Sequence, residues 1–378
     1  VLRFVNGLSE KLASRSRHVC LFIGAGASRA CGLPDVAGLE QHLRSALSGD
    51  GLSHFEHLME DRNLEQVLSR LRRIAALLDG TTGEVDALNA KQARDLDVEI
   101  CQHIVERLTV DREAMKPMLR LAAWAARADY HRPLELFTVN YDLLIESGLE
   151  ALGVPYFDGF VGTMQARFRS DLVEASVGED RWLPSFLVRV WKLHGSVNWA
   201  WTATPNPGVI RLGAAVPSDQ TAVIYPSDAK YDESRRVPFV VLQDRLRRAL
   251  DQPETLVLIS GYAFGDQHLN EMIFDAARRR PRSEFIAFCY SRIPDELAEL
   301  AATTPNVQVV TRAEAILGGL RDGWEAAHDV PPDVWAADAF RLGDFNSLTQ
   351  FLARSSPPEA ELEARLSELL ARAATPSA

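Results

Sequence analysis

The sequence predicts an α/β fold built on a doubly wound, mostly parallel sheet. Short apolar runs recur at Val19–Ile23, 134–139, 188–193, 222–225, 255–259, 285–290 and Val307–Val310. Runs without polar alternation are what strands buried on both faces require. Helical stretches such as 143–152 and Phe239–Leu250 lie between several of them, as parallel strands joined by crossover helices demand. A chain of 378 residues is also long enough for one large core or two modest ones.

The first run passes directly into Gly24-Ala25-Gly26-Ala27-Ser28, followed by Gly32-Leu33-Pro34-Asp35. Glycines at such a junction let the backbone approach an anion closely. Ser28 and the amides after it are expected to open a helix whose N-terminus favours negative charge. The bland alternative is a tight turn with no ligand. Arg29 stands where a dinucleotide fingerprint has its third glycine, and no Lys-Ser/Thr follows, so a Walker-type triphosphate loop is disfavoured.

Residues 38–130 read as a helical insertion. Leu64, Val67, Leu68, Leu71, Ile74, Ala75 and Leu78 fall at helical spacing, as do Leu88, Ile100, Ile104, Leu108 and residues 118–126, with a break expected at Gly80-Thr81-Thr82-Gly83. The second run, 134–139, leads to Asn140-Tyr141-Asp142 and the 143–152 helix. Residues 155–184 are irregular, with room for a short strand near 155–160. The 188–193 run ends in His194-Gly195-Ser196, and the 255–259 run in Ser260-Gly261-Tyr262 and Asp266-Gln267-His268. After Pro331-Pro332 a helical stretch and an Ala/Leu/Glu helix over 359–374 close the chain. The expected division is a sheet domain of 1–37 and 131–325, a helical insertion subdomain of 38–130, and a C-terminal helical tail of 326–378.

A net charge of −11 argues against broad nucleic-acid adhesion, which a basic stripe must supply. The basic clusters at Arg235-Arg236, 245–248 and 278–282 coincide with helices or their C-terminal ends and read as solvated, dipole-compensating faces. Four scattered cysteines, Cys20, Cys31, Cys101 and Cys289, form no C-x-x-C pair, so neither a zinc ribbon nor a disulfide framework is indicated. With no secretory signal and no apolar run near 18 residues, a reducing cytoplasm is the expected compartment and no membrane is implied.

The strand ends hold the polar groups, where open parallel sheets bind ligands. Asn140 offers an amide able to orient a water or a ribose hydroxyl, and Asp142 a carboxylate able to accept from a carboxamide. His194 suits a general base near neutrality. Simpler roles stand beside these: Asn140 and Asp142 as caps of the following helix, His194 as a satisfied core histidine. Ser260, Asp266, His268 and Asn270 offer hydrogen bonds to an adenosine moiety. Asp266 and His268 alone do not make a metal site, which needs a third ligand.

In this order and on these strand ends, GAGAS with GLPD, TVNYD, KLHGS and SGYAFGD resemble the sirtuin-like superfamily. More narrowly, they are similar to its bacterial antiphage-defence branch, which consumes NAD. The resemblance covers about residues 18–312 and implies a Rossmann-like NAD-binding domain. It implies that Gly24, Ala25, Gly26 and Ser28 hold the pyrophosphate, with Pro34, Asp35, Thr138, Gly195, Ser196, Gly261, Tyr262 and Asp266 as further NAD-binding positions. By the same resemblance Asn140, Asp142 and His194 are catalytic. Protein deacylases of the superfamily carry a four-cysteine zinc module, whereas this chain has no cysteine between Cys101 and Cys289. Tyr141 also replaces their usual aliphatic residue. The expected activity is therefore metal-free hydrolysis of NAD to ADP-ribose and nicotinamide in abortive infection. The alternatives are a protein deacylase or ADP-ribosyltransferase, and a non-catalytic NAD or ADP-ribose sensor. By analogy the chain forms a homo-oligomer with a HerA-type hexameric ATPase, a short Argonaute being the less favoured partner.

Overall fold

The protein is described by a computed structural model covering residues 1–34, 36–107, 112–175, 186–202, 208–213, 221–223, 237–328 and 330–354. Asp35, the Arg235-Arg236 cluster and the expected 359–374 helix lie outside the described residues.

A nine-stranded sheet forms the centre. Six of its strands run parallel: Val19–Ile23, Glu135–Thr138, Val188–Lys192, Leu256–Ser260, Glu284–Phe288 and Val307–Val310. Their spatial order is third, second, first, fourth, fifth, sixth, the doubly wound arrangement with its reversal between the first and fourth. Tyr156–Phe157 extends one edge in parallel, and the hairpin of Glu314–Leu317 and Leu320–Gly323 extends the other antiparallel. Six of the seven apolar runs form these strands because both faces are covered, as Val19–Ile23 and Leu256–Ser260 are buried at every position; the described part of the 222–225 run belongs instead to an antiparallel strand, Thr221–Val223, of a smaller sheet.

The pleat divides each strand between two cores. Val19, Leu21 and Ile23 join Leu256 and Leu258 against the helices Leu2–Ala13, Lys116–Arg127, Leu144–Ala151 and Phe345–Arg354. Cys20, Phe22, Val257 and Ile259 face Phe239–Leu250, Gln267–Arg279 and Asp295–Thr303. Burying one Leu or Phe in this way contributes about 1.5–3 kcal/mol. The helix after the first strand and the helix after the fourth thus lie on opposite faces, leaving a crevice between them at the strands' carboxyl ends.

Register brings those ends level. Ile23 pairs with both Ser260 and Thr138, and Thr138 pairs with Lys192. Gly24, Asn140, His194 and Gly261 follow within one or two residues of this row.

Val36–Ala46, Gly49–Met59, Leu64–Leu77 and Ala90–Arg107 share a separate apolar cluster that includes Leu43, Phe55, Leu68, Leu71 and Ile100. Reciprocal hydrogen bonds of Asn63 with Gln66 (2.9 and 3.0 Å) set the start of Leu64–Leu77, two orphan helix donors satisfied at once. The non-helical stretch before Ala90 contains the expected break at Gly80 to Gly83. Lys116–Arg127 packs instead on the main core beside Phe345–Arg354, where Arg120 donates to Asn346 (2.9 Å). Phe345–Arg354 is the helical stretch expected after Pro332, preceded by a small hairpin, Trp335–Ala336 with Ala339–Phe340. Leu342 and Phe345 behind it are buried in the main core.

A second, five-stranded sheet contains Gly195–Thr202, paired antiparallel with Gly208–Arg211. The chain leaves the main sheet at Lys192 and enters the second at Gly195, whose φ of +82° suits glycine alone at so tight a reversal. His194 is thereby fixed at the joint of the two sheets. Among the described residues no helix is long and apolar enough to cross a membrane.

Candidate active site

The glycine loop is built differently from the sequence expectation. Its helix, Ala25–Ala30, starts three residues before Ser28, with extended Gly24 as its N-cap. The Gly26 amide donates to the Gly261 carbonyl (2.8 Å), and the Gly24 amide to that of Ser260 (3.0 Å). A Cβ on Gly24 would lie 2.5 Å from the Gly261 oxygen, and one on Gly26 would lie 2.7 Å from the Gly261 Cα. Glycine is therefore required here for two strand-end loops to touch. Ala25 and Gly26 remain exposed at the crevice, while Ser28 points inward and is buried.

Ser28 organises the first half of the site. Asn140 Nδ2 donates to the Gly24 carbonyl (3.0 Å) and to Ser28 Oγ (2.8 Å), and Ser28 Oγ donates to Asp142 Oδ2 (2.6 Å). The direction of this chain is fixed by its ends, because a carbonyl and a carboxylate only accept. Both amide protons of Asn140 are engaged, so its carbonyl pole, Oδ1, is left as the functional end. Asp142 Oδ1 accepts from the Leu144 amide (3.0 Å). The local bond to the first helical amide and the bond to Ser28 are thus held by two oxygens of one carboxylate, although Leu143, not Asp142, is the N-cap of that helix. Thr138 Oγ1 donates to the Ile23 carbonyl (2.9 Å) and accepts from the Asn140 amide (3.0 Å), pinning this turn to the first strand.

His194 forms the second half. Its Nε2 lies 3.2 Å from Asp266 Oδ2, with both side chains largely buried. The adjoining turns connect through the backbone: the Leu193 amide donates to the Thr138 carbonyl (2.8 Å), the Val197 amide to that of Tyr141 (2.9 Å), and Ser196 Oγ to the same oxygen (3.4 Å). Gly24, Gly26, Ser28, Thr138, Asn140, Asp142, His194, Gly195, Ser196, Gly261, Tyr262 and Asp266 therefore surround neighbouring strand ends. Pro34 follows the turn at Gly32 and is half-buried.

Two of the residues expected at the adenosine moiety have plain local surroundings. Asn270 accepts from Tyr262 Oη (2.9 Å) and donates to the Phe264 carbonyl (2.8 Å), so it braces its own loop. Its neighbour His268 is exposed on the helix surface. Ser260 Oγ, by contrast, is buried without a hydrogen-bond partner beside Gly261.

Sequence reasoning missed Lys192 and Glu146. Buried Lys192 lies 2.9 Å from Glu146 Oε1 and also donates to the Asp142 carbonyl, steadying the turn from below. The available signal was a lysine at the end of the Val188–Lys192 strand, two residues before His194. Tyr141 packs against the helical cluster of residues 39–104 and ties it to the site.

At the opposite ends of the strands lies a second buried polar group. Arg245 grips Glu135 with two nitrogens, Nε at 2.7 Å, while His18 Nε2 (2.9 Å) and Trp191 Nε1 (2.6 Å) approach the same carboxylate. Burial alone would raise the Glu135 carboxyl; Arg245 and His18 outweigh it and hold it well below the usual carboxylate range. Arg245 is thus no solvated cation, because helix Phe239–Leu250 turns it inward, while Arg247 and Arg248 stay outside with Asp244. Although His18, Cys20 and Glu135 lie close enough to hold a cation, the guanidinium occupies the carboxylate, and the set suits an ion network.

Residues 134–310 match the family described as the SIR2-like domain. This SIR2-like stretch is a little under half of the chain and contains Asn140, Asp142, His194 and Ser260 to Asp266; the Gly24 loop precedes it. Among solved structures, one described as "Sir2-p53 peptide-NAD+" is similar at 12% identity and a TM-score of 0.41, covering 77% of this chain and 89% of that one. Comparison with curated proteins finds no match.

Proposed function

We propose that this site binds NAD and hydrolyses the bond between nicotinamide and its ribose, yielding ADP-ribose and nicotinamide. The observation that carries this reading is the directed chain from Asn140 through Ser28 to Asp142 beside His194, at the reversal point of the sheet and within a SIR2-like match. Unpartnered Ser260 Oγ and the exposed Ala25-Gly26 backbone suit a polar, phosphate-bearing ligand lying across the crevice.

In this reaction the nicotinamide nitrogen leaves with the electron pair of the C–N bond, and positive charge develops on the ribose. Water attacks that carbon, and its proton passes to His194 directly or through a ribose hydroxyl. Asn140 Oδ1 accepts from the water or a ribose hydroxyl and so fixes its approach. Asp142 keeps lone pairs beyond those given to Ser28 and Leu144 and can seat the nicotinamide carboxamide. Fixed carboxylate and amide dipoles oppose the developing charge, an effect typically worth a few kcal/mol.

We further assign this activity to an effector of antiphage defence, acting in the cytoplasm as a homo-oligomer with a HerA-type ATPase. That assignment rests on the motif resemblance. The test is incubation with NAD, alone and with candidate ATPase partners, followed by chromatography with and without an acyl-lysine peptide. The expected result is equal release of nicotinamide and ADP-ribose, independent of peptide and abolished by Asn140→Ala and His194→Ala in folded protein. Binding of NAD with no turnover under every condition would reject hydrolysis in favour of a sensor. Peptide-dependent turnover would point to acyl or ADP-ribosyl transfer.

A further inference from the structure

The sequence assigns Asp266 to the nucleotide, yet its carboxylate faces the imidazole of His194 (Nε2 to Oδ2, 3.2 Å). We propose that Asp266 is the positioning residue of a His194–Asp266 dyad, holding the proton on Nε2 so that Nδ1 is the basic nitrogen. This inference rests on the hydrolase reading for its catalytic consequence, though not for the pairing itself.

The loop is constructed to hold that carboxylate still. Asp266 Oδ1 accepts from the Leu269 amide (3.2 Å), making Asp266 the N-cap of Gln267–Arg279. Its backbone carbonyl accepts from Tyr262 Oη (3.3 Å), whose ring lies against Phe22 at 4.8 Å between centroids. Asn270 bonds the same Tyr262 hydroxyl and the Phe264 carbonyl, securing Phe264 at a φ of +57°. A non-glycine residue in that region costs on the order of 1–3 kcal/mol and persists only where its surroundings impose it. With Oδ1 committed to the helix and the backbone braced, Oδ2 is directed at His194 before any ligand arrives.

The charges around the pair favour this division of roles. Burial pushes the Tyr262 hydroxyl above its ordinary range, with the Asp266 charge adding to the effect, so it is a neutral donor at neutral pH. Lys192, two residues before His194, is turned away toward Glu146 and the Asp142 carbonyl. Asp266 Oδ2 lies within ion-pair distance of His194. A neutral imidazole donating Nε2–H to it has its lone pair on Nδ1, and the carboxylate stabilises the imidazolium once that nitrogen takes a proton.

The decisive variant is Asp266→Asn, since asparagine caps a helix as well as aspartate and the loop should stay folded. Two readouts are needed. In protein labelled with ¹⁵N histidine, with His194 assigned through His194→Gln, the wild type should show the Nε2–H tautomer. In Asp266→Asn, His194 should lose its proton at a pH lower by about one unit or more, as expected when an opposing charge within ion-pair distance is removed. In the NAD assay kcat should fall by about tenfold or more with KM for NAD within about threefold, the pattern of a lost base function. An unchanged tautomer and titration would overturn the dyad whatever the enzyme does. A raised KM with unchanged kcat would return Asp266 to nucleotide binding. If the wild type shows no turnover, the hydrolase reading fails while the resonance data still decide the pairing.

Discussion

Replacing Gly26 by alanine gives opposite signs in two lines of reasoning. Gly26 lies in the helix Ala25–Ala30 and is exposed, so helix propensity alone predicts a gain of about 1 kcal/mol. The added Cβ, however, would sit 2.7 Å from the Gly261 Cα and 3.2 Å from its oxygen. These are backbone atoms of a loop that also meets Ala27, and they cannot rotate aside. Overpacking of this kind costs about 1–3 kcal/mol. Parting the loops also weakens the 2.8 Å bond from the Gly26 amide, worth about 1 kcal/mol. After subtracting the helix gain, Gly26→Ala should destabilise the protein by about 1–3 kcal/mol. Gly7 is the control: it lies in the helix Leu2–Ala13 and a Cβ there meets nothing within 4 Å, so Gly7→Ala should stabilise by about 0.5–1 kcal/mol. Urea unfolding followed by circular dichroism measures both. If Gly26→Ala matches the gain of Gly7→Ala, the two strand-end loops do not touch as described and the crevice must be redrawn.

Arg245→Met should destabilise by about 3–5 kcal/mol, because it leaves the Glu135 carboxylate buried without its guanidinium. Adding Glu135→Gln should recover part of that loss in urea unfolding, and a single variant as stable as the wild type would refute the pairing. Asp158 is raised to about 6 by burial, which exceeds the pull of Arg211. Its folded value lies above its unfolded one, so it contributes nothing below about pH 4, and its penalty grows as pH rises from about 4 to about 6 and then levels at about 3 kcal/mol. Thermal unfolding of Asp158→Asn should therefore fall less between pH 5 and pH 8 than that of the wild type, and equal slopes would refute the shift.

The sheet was legible because its strands are covered on both faces. Residues 19–23 and 256–260 contain almost nothing polar, and no other element of that length satisfies such a pattern. The hairpin at 335–340 was not legible, since its four paired residues are too few to show a period. Arg245 looked like its neighbours in sequence; only the rotation of Phe239–Leu250 against the sheet distinguishes it from Arg247 and Arg248. Glycine placement was visible, but its cause was not, because the partner of Gly24 and Gly26 is Gly261, more than two hundred residues away.

The same distance explains why each site residue, taken singly, left a choice between a local and a functional role. A cap is a contact of two or three residues and is readable from spacing, whereas Ser28 to Asp142 spans 114 residues and depends on strand register. The local role and the proposed one are geometrically compatible at both carboxylates. Asp142 gives Oδ1 to the Leu144 amide and Oδ2 to Ser28, and Asp266 gives Oδ1 to the Leu269 amide and Oδ2 to His194. In each case the local bond is what aims the second oxygen. An aspartate at the start of a helix that follows a parallel strand is already held at the crevice, so its bond to a helical amide supplies positional support for the proposed catalytic groups. On this account Asp142→Ala and Asp266→Ala should lose helix stability and site geometry together, whereas the corresponding asparagine variants should retain the first while changing the second.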